Sequence, residues 1–470
     1  MAADERFFVP PDIDASSDEV NRGNEFYIRH LVDIAQMCWD HHEKSSKMKS
    51  FGKSAKQTLY IESLGPCVYF RYRLATSPSF PLLTMYHKQS MCGDANDIIK
   101  ASRIQMLRDA LSITNGILQA RSQDDRVTHR VTLLEGELVG ALAMKIVIGD
   151  AIVSLKGDED SSELVGEIEG AMKRLLLFGR NYILSGILAP SECEVLYGRC
   201  GYLKAIKFVQ TEIGDPNFGS DIAREVIREV WDEGRQDVDP NAVVQNIKQI
   251  RIPLPLMWKW KNKIYLGACH GVAGILHTLL DFQDVLISVD RNAMKFIEET
   301  TVLLRENMCT ESGNLASSIK ASGSSKKSDA LVQWCHGAPG HVLLLTQMAR
   351  KTQNQAHLEA AEDLAASVIQ PRGLLRKGVG LCHGIGGNAF CFMSLANAER
   401  ELKGADHASS KWINASYAYA NFALDHFDEL KYMPDHPFSL YEGMTGLSSL
   451  LLALIEGGGG PNSKFPLYEV

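Results

Sequence analysis

The spacing of glycines constrains this chain more than anything else in it. Taken as landmarks, glycines pick out a repeat: CHGVAGIL from residue 269, CHGAPGHV from 335, CHGIGGNA from 382 and EGMTGLSS from 442. EGELVGAL from 135 and YGRCGYL from 197 are weaker copies, and LGPCVYF from 64 is a degenerate first one. Seven copies at intervals of roughly 45–75 residues leave room in each for two helices and their connections. A Gly-x-x-Gly opening a helix lets backbones crowd where several helix starts converge. Segments such as AREVIREVWDEG and EAAEDLAASVIQ carry apolar residues at i, i+3 and i+4, and strand-like alternation is scarce. These patterns predict an all-α fold of paired helices, either stacked as a solenoid or closed into a ring.

Residues 1–20 are polar and contain prolines, and read as an arm lying on the body; residues 21–470 read as a single domain. Two stretches interrupt the helical pattern. Ser312–Ala330, rich in Ser, Gly and Lys, predicts a mobile loop. The tail GGGGPNSKFPLYEV is a Gly-rich spacer followed by an apolar end that should dock back on the body.

A net charge of −8 and a pI near 6.0 argue against a dedicated nucleic-acid binder, whose phosphate contacts need a basic face. No uninterrupted apolar run reaches the ~18 residues of a membrane-spanning helix. No signal-peptide pattern is visible at the N-terminus, and residue 2 is Ala rather than the Gly that myristoylation requires. The expected location is cytoplasmic, and peripheral membrane or nuclear pools are compatible with the same sequence. There the ten cysteines should mostly be reduced thiols, buried or bound to metal.

Three of the glycine copies begin Cys-His-Gly: Cys269-His270-Gly271, Cys335-His336-Gly337 and Cys382-His383-Gly384. From the chain's Cys and His content, chance predicts about 0.3 Cys-His dipeptides of any kind. A Cys just ahead of a helix start is favoured as thiolate by the free N–H groups and the positive end of the helix dipole. Two thiolates and one imidazole from the second and third triplets would make a three-ligand zinc site. Its fourth position, open to water or substrate, is the catalytic arrangement. A thiol entering that position loses its proton and becomes a nucleophile at neutral pH. His270, in the first triplet, is a candidate general acid/base. Lys377, five residues before Cys382, could hold an anionic group or stabilise an enolate; an exposed loop lysine is the plainer reading of that spacing alone.

These residues match a known family. The chain resembles the eukaryotic LanC-like proteins, relatives of the bacterial lanthionine cyclases. QWCHGAPG (333–340), LLRKGVGLCHGIGGNAF (374–390), PFSLYEGMTG (437–446), YLGACHGVAGI (265–275) and KFPLYEV (464–470) carry the likeness. The resemblance implies an α/α toroid of seven helical hairpins with one zinc per chain. By matching motifs the ligands are Cys335, Cys382 and His383, the acid/base histidine is His270, and the lysine ahead of the third ligand motif is Lys377. Arg6 stands where the family has an arginine implicated in glutathione contact. The implied activity adds the glutathione thiol to dehydroalanine or dehydrobutyrine in proteins, by Michael addition. The implied partners are glutathione and dehydrated or phosphorylated protein substrates. A non-catalytic zinc- and glutathione-binding adaptor or redox sensor is the alternative. The chain departs from the family at Cys269, where Ala is usual, and in LLEGELVG, where Cys-Gly-Asp-Ala-Gly is usual. The first repeat lacks the usual glycines.

Overall fold

The computed structural model describes residues 7–10, 20–48, 57–60, 62, 64–87, 95–122, 130–157, 161–236, 244–245, 251–252, 254–319, 329–404, 410–458 and 463–470. Among them run fourteen helices that alternate between two layers. The outer layer comprises α1 (Asn24–Met48), α3 (Ala95–Ser122), α5 (Ser162–Phe178), α7 (Ser220–Gln236), α9 (Ala293–Asn307), α11 (Gln355–Leu364) and α13 (Ser410–Asp425). The inner layer comprises α2 (Phe70–Thr76, led in by a π-helical turn over Leu64–Tyr69), α4 (Glu137–Lys156), α6 (Arg199–Ile213), α8 (Val272–Asp281), α10 (Ala338–Thr352), α12 (Ile385–Lys403) and α14 (Met444–Ile455). Each inner helix packs on the next, and α14 packs back on α2, so the seven hairpins close an α/α toroid rather than an open solenoid. A two-residue antiparallel pair, Val244–Gln245 with Arg251–Ile252, is the only sheet among the described residues.

Sequence assigns each helix to its layer. In α7 the buried side chains are Ile222, Ala223, Val226, Ile227, Val230 and Trp231, one stripe at i, i+3, i+4 spacing. In α14 every residue from Met444 to Ile455 is buried, as suits a helix covered on all sides. One helix, α4, is long and apolar enough by composition to cross a bilayer, with a mean hydropathy of 2.0 over its best window. It stands in the inner ring against α3, α5 and α6, so its apolar surface is used in the core.

The glycine repeat marks the turns that enter the inner helices. The N-cap residues of α4, α6, α8, α10, α12 and α14 are Gly136, Gly198, Gly271, Gly337, Gly384 and Gly443. The second glycine has a sharper reason. A Cβ at Gly201, Gly274, Gly387 or Gly446 would lie 2.2, 1.9, 1.9 or 2.6 Å from the carbonyl oxygen six residues earlier. Gly65 stands in the same relation to Leu59, at 2.7 Å, so the first copy keeps the glycine that the backbone requires.

The turns also lace to one another. Tyr60 N donates to Leu134 O, Leu133 N to Gly201 O, Val195 N to Cys269 O, and Ala268 N to Trp334 O. Cys335 N donates to Cys382 O, Cys382 N to Tyr441 O, and Tyr441 N to Tyr60 O, which completes the circle. A closed ring of this kind leaves no unpaired edge among the turns.

The segment expected to be a mobile loop is anchored at both ends. Ser312 and Thr310 hydroxyls donate to Asp329 Oδ1 at 2.5 Å each, and Arg372 pairs with Asp329. Asn314 is buried; its Oδ1 accepts from Ala338 N at 2.8 Å and so caps α10, whose own N-cap is a glycine. Residues 320–328 lie outside the described set. In the N-terminal arm, Phe8 N donates to Leu374 O at 2.9 Å and the Arg376 guanidinium lies 3.8 Å over the Phe8 ring. Arg6 lies outside the described residues.

Candidate active site and metal centre

In the closed ring of turns, one register position is filled in order by Tyr60, Leu134, Leu196, Cys269, Cys335, Cys382 and Tyr441. The three thiols are therefore consecutive around the rim, and all three are buried. The Cys335 and Cys382 thiols are close enough to act on each other's charge, and the Tyr60 hydroxyl is close enough to act on Cys382. Gln333 Nε2 donates to Cys335 Sγ at 2.9 Å, and Lys377 Nζ donates to Gln333 Oε1 at 3.2 Å. The contact from Cys382 holds the Cys335 thiol below its ordinary value; Gln333 and the Lys377 charge act the same way. Burial pushes Cys382 well up. The two neighbouring thiols are thus pushed in opposite directions, Cys335 toward the charged form and Cys382 toward the neutral one.

His383 follows Cys382 directly. Burial, with the Lys377 charge, brings its imidazole down to about 4, so it is neutral and able to ligate near pH 7. Among the described residues no three His, Cys, Asp or Glu side chains already form a metal cage. The chain presents two buried thiols on turns joined by the Cys335 N to Cys382 O bond, and a neutral imidazole on the residue after Cys382. That donor set fits zinc in its chemistry.

The neighbouring turns carry a second constellation. His270 Nδ1 lies 2.6 Å from Glu194 Oε2, and Glu194 is 1% exposed. The same carboxylate accepts from Leu196 N at 2.9 Å and from Tyr197 N. With Nδ1 engaged, Nε2 is the ring nitrogen left for proton transfer. The His270 ring stacks on Trp260 at 4.3 Å and 11°, and Trp260 Nε1 donates to Glu192 Oε2 at 2.9 Å. His336 bridges the two constellations: its ring centroid is 6.4 Å from that of His270, and it belongs to the Cys335 turn. Burial, with the His270 and Lys377 charges, lowers His336 to about 4, and its Nδ1 is buried without a partner in the described structure.

The sequence-derived residues Cys335, Cys382, His383, His270 and Lys377 thus stand on three adjacent turns, 4, 5 and 6, of one rim. Lys377 is exposed, as its spacing suggested, yet it reaches the thiol through Gln333. Cys269 is buried next in the ring, near enough to Cys335 to be affected by its charge, and among the described residues no hydrogen bond joins its thiol to Cys335 or Cys382. Glu194, Trp260, Gln333 and Tyr60 were not singled out by sequence. Glu194 had one signal: it is the acid four residues ahead of Gly198 in a copy of the repeat. The nine described cysteines are free thiols.

Residues 160–467 match the family described as lanthionine synthetase C-like protein. "Glutathione S-transferase LANCL1" of Danio rerio is 28% identical over 393 residues, covering 83% of this chain and 82% of the relative. "LanC-like protein GCL1" of Arabidopsis thaliana is 27% identical over 277 residues, covering 59% and 58%. Among solved structures, "Nisin cyclase" superposes with a TM-score of 0.59 over 91% of this chain and 93% of that one. At 16% identity that likeness speaks to the fold alone, an α/α toroid. With more than half its length matched to the family and the thiol turns in place on a closed toroid, this chain belongs to the LanC-like family.

Proposed function

We propose that this protein is a zinc-dependent thiol transferase that adds glutathione to dehydroalanine or dehydrobutyrine side chains of proteins. Cys335, Cys382 and His383 would hold one zinc ion. Bound there, the metal would lower the pKa of an incoming thiol so that it reacts as thiolate. The chain's own residues supply the rest. Sulfur bonds to the β-carbon of the dehydrated residue, and the π electrons move onto the carbonyl as an enolate. His270, held by Glu194 at Nδ1, gives a proton from Nε2 to the α-carbon. Nothing leaves, so the proton lost by the thiol balances the proton gained by carbon. Lys377 supplies positive charge near the thiol pair, where the enolate's negative charge develops. Arg6 and Lys377 are the side chains we assign to glutathione's carboxylates.

The observation that carries this reading is the presence of two buried thiols on hydrogen-bonded turns and a carboxylate–histidine dyad on the neighbouring turns of one rim. The name of the Danio rerio relative supports the choice of glutathione. The test is a mass-resolved assay of glutathione addition to a dehydroalanine-containing peptide. Wild type should form the thioether faster than the uncatalysed reaction, and His270→Ala should lose on the order of 10²-fold or more of that rate. If wild type gives no acceleration while still binding glutathione, the protein is a binding module and the transferase reading fails.

A further inference from the structure

The C-terminal residues 463–470 enter the ring of inner helices. Phe465 and Tyr468 are fully buried, and Ser463, Leu467 and Glu469 are nearly so. Four inner helices grip the segment. From α6, Lys204 Nζ donates to Tyr468 O and lies 4.6 Å from the centroid of its ring. From α8, the His277 ring lies 4.3 Å from the Tyr468 ring. From α10, Arg350 pairs with Glu469 at 2.8 Å. From α12, Ser394 donates to Glu469 at 2.7 Å and Asn397 to Ser463 at 3.0 Å. Lys204 is itself 0% exposed and is neutralised by Asp281 at 2.6 Å. Burying an ion pair costs desolvation that its attraction barely repays, so the pair fixes a geometry more than it adds stability. Leu467 sits at φ +61, a left-handed conformation that strains a residue with a Cβ.

The upper side of this segment touches the thiol turns. Phe465 stacks on Trp334 at 5.6 Å and 23°, and Tyr468 meets the same indole edge-on at 5.3 Å. Trp334 immediately precedes Cys335. Pro466 O accepts from the Tyr441 hydroxyl at 2.8 Å, and Tyr441 O accepts from Cys382 N at 2.6 Å. Tyr441 also stacks at 4.8 Å on Tyr60, whose backbone O accepts from Tyr441 N. Each thiol is therefore joined to the tail through one intervening residue, Cys335 through Trp334 and Cys382 through Tyr441.

We propose that the C-terminal segment is the floor of the site: it stoppers the toroid beneath the turns and positions Cys335 and Cys382. Two consequences follow from the geometry. Substrates reach the thiols only from the face of the turns, and the site is completed only when the last eight residues are in place. Phe465, Tyr468 and Lys204 are positioning residues on this account, since they act through Trp334 and Tyr441.

The test compares wild type with a chain ending at residue 462, with Tyr468→Ala and with Phe465→Leu. The first readout is the rate at which N-ethylmaleimide alkylates each cysteine of metal-free protein, resolved by peptide mass mapping. It does not depend on the zinc reading. Cys38, buried in outer helix α1, is the internal control. The second readout is zinc affinity by competition with a chromogenic chelator. The expected result is at least a tenfold rise in alkylation of Cys335 and Cys382, with Cys38 unchanged and helical circular dichroism kept. Zinc affinity should fall at least tenfold, and adding the octapeptide SKFPLYEV should reverse both effects in the shortened chain. If the shortened chain unfolds, Phe465→Leu decides by the same readouts, because it keeps the apolar volume and removes the stack on Trp334. Wild-type alkylation rates at both thiols in folded variants would overturn the proposal. A wild type without zinc affinity would sink the transferase reading and leave this one to the alkylation rates.

Discussion

Turns 1–3 and turns 4–6 of the toroid share a backbone and differ in what they carry. Tyr60, Leu134 and Leu196 occupy in the first group the register position that Cys269, Cys335 and Cys382 occupy in the second. Both groups are laced by the same chain of N–H to O=C bonds, and both place a glycine where a Cβ would strike a carbonyl oxygen. Geometry and chemistry are therefore separable: glycine and backbone hydrogen bonds build the rim, and the side chains at this register position and the next set the chemistry each sector offers. The dyad sits at the border, with Glu194 from turn 3 and His270 from turn 4.

The largest expected effect tests the shared half of that comparison. Gly387→Ala, in a thiol-bearing turn, and Gly201→Ala, in a turn without thiol, should each cost roughly 3 kcal/mol or more, because backbone must move. Denaturant midpoints of the two variants measure it. If Gly201→Ala is nearly neutral, the turns are not equivalent as backbone.

Next comes the part that should be separable. Glu194→Gln keeps one of the two oxygens, enough for Leu196 N and His270 Nδ1 but not for Tyr197 N, and removes the charge that holds His270. We expect thiol addition to slow by about 10²-fold, with a smaller loss of stability of about 1 kcal/mol for the backbone acceptor given up. Equal losses of rate and stability would mean that Glu194 is there for the fold.

Acid should act on the half beneath the thiol turns. His341 in α10 is buried and its Nε2–H donates to Leu266 O at 2.9 Å; burial lowers it to about 4, against 6.5 unfolded. Between those values the unfolded chain binds the extra proton, so stability falls as pH drops through that window, by on the order of 3 kcal/mol for this group. His277 in α8, also fully buried, is lowered in the same direction by burial and by Lys204. His341→Gln should flatten the acid limb of a stability–pH curve; an unchanged limb would assign it to other groups.

The smallest effect lies far from the rim. Arg22 and Asp425 form an exposed two-point ion pair at 2.7 and 2.6 Å, joining the start of the chain to outer helix α13. Arg22→Ala should cost under about 1 kcal/mol and leave thiol chemistry untouched, as thermal melts and the addition assay would show.

Sequence carried the parts of this account that depend on residue type and local spacing. Glycine pairs marked the inner-helix starts, and three Cys-His-Gly triplets marked the sector with chemistry. Periodicity marked the amphipathic outer helix α7 through AREVIREVWDEG. What it left open was set by contacts distant in the chain. Solenoid and ring differ only by whether Tyr441 N meets Tyr60 O, across 381 positions of the sequence. Glu194 becomes the partner of His270 only when turns 3 and 4 lie side by side. The tail was expected to dock; that it docks between inner helices against Trp334 required Lys204 and Asp281 to be brought together. Ser312 read as loop, but Asp329 and Arg372 hold it.

The most direct test of the central claim is the zinc content of purified protein, measured by elemental analysis for wild type and Cys382→Ala side by side. The account predicts about one zinc per chain in wild type and its loss in a variant that keeps its helical spectrum. A folded wild type without zinc, or a Cys382→Ala that retains it fully, would contradict the claim that these turns form the metal centre.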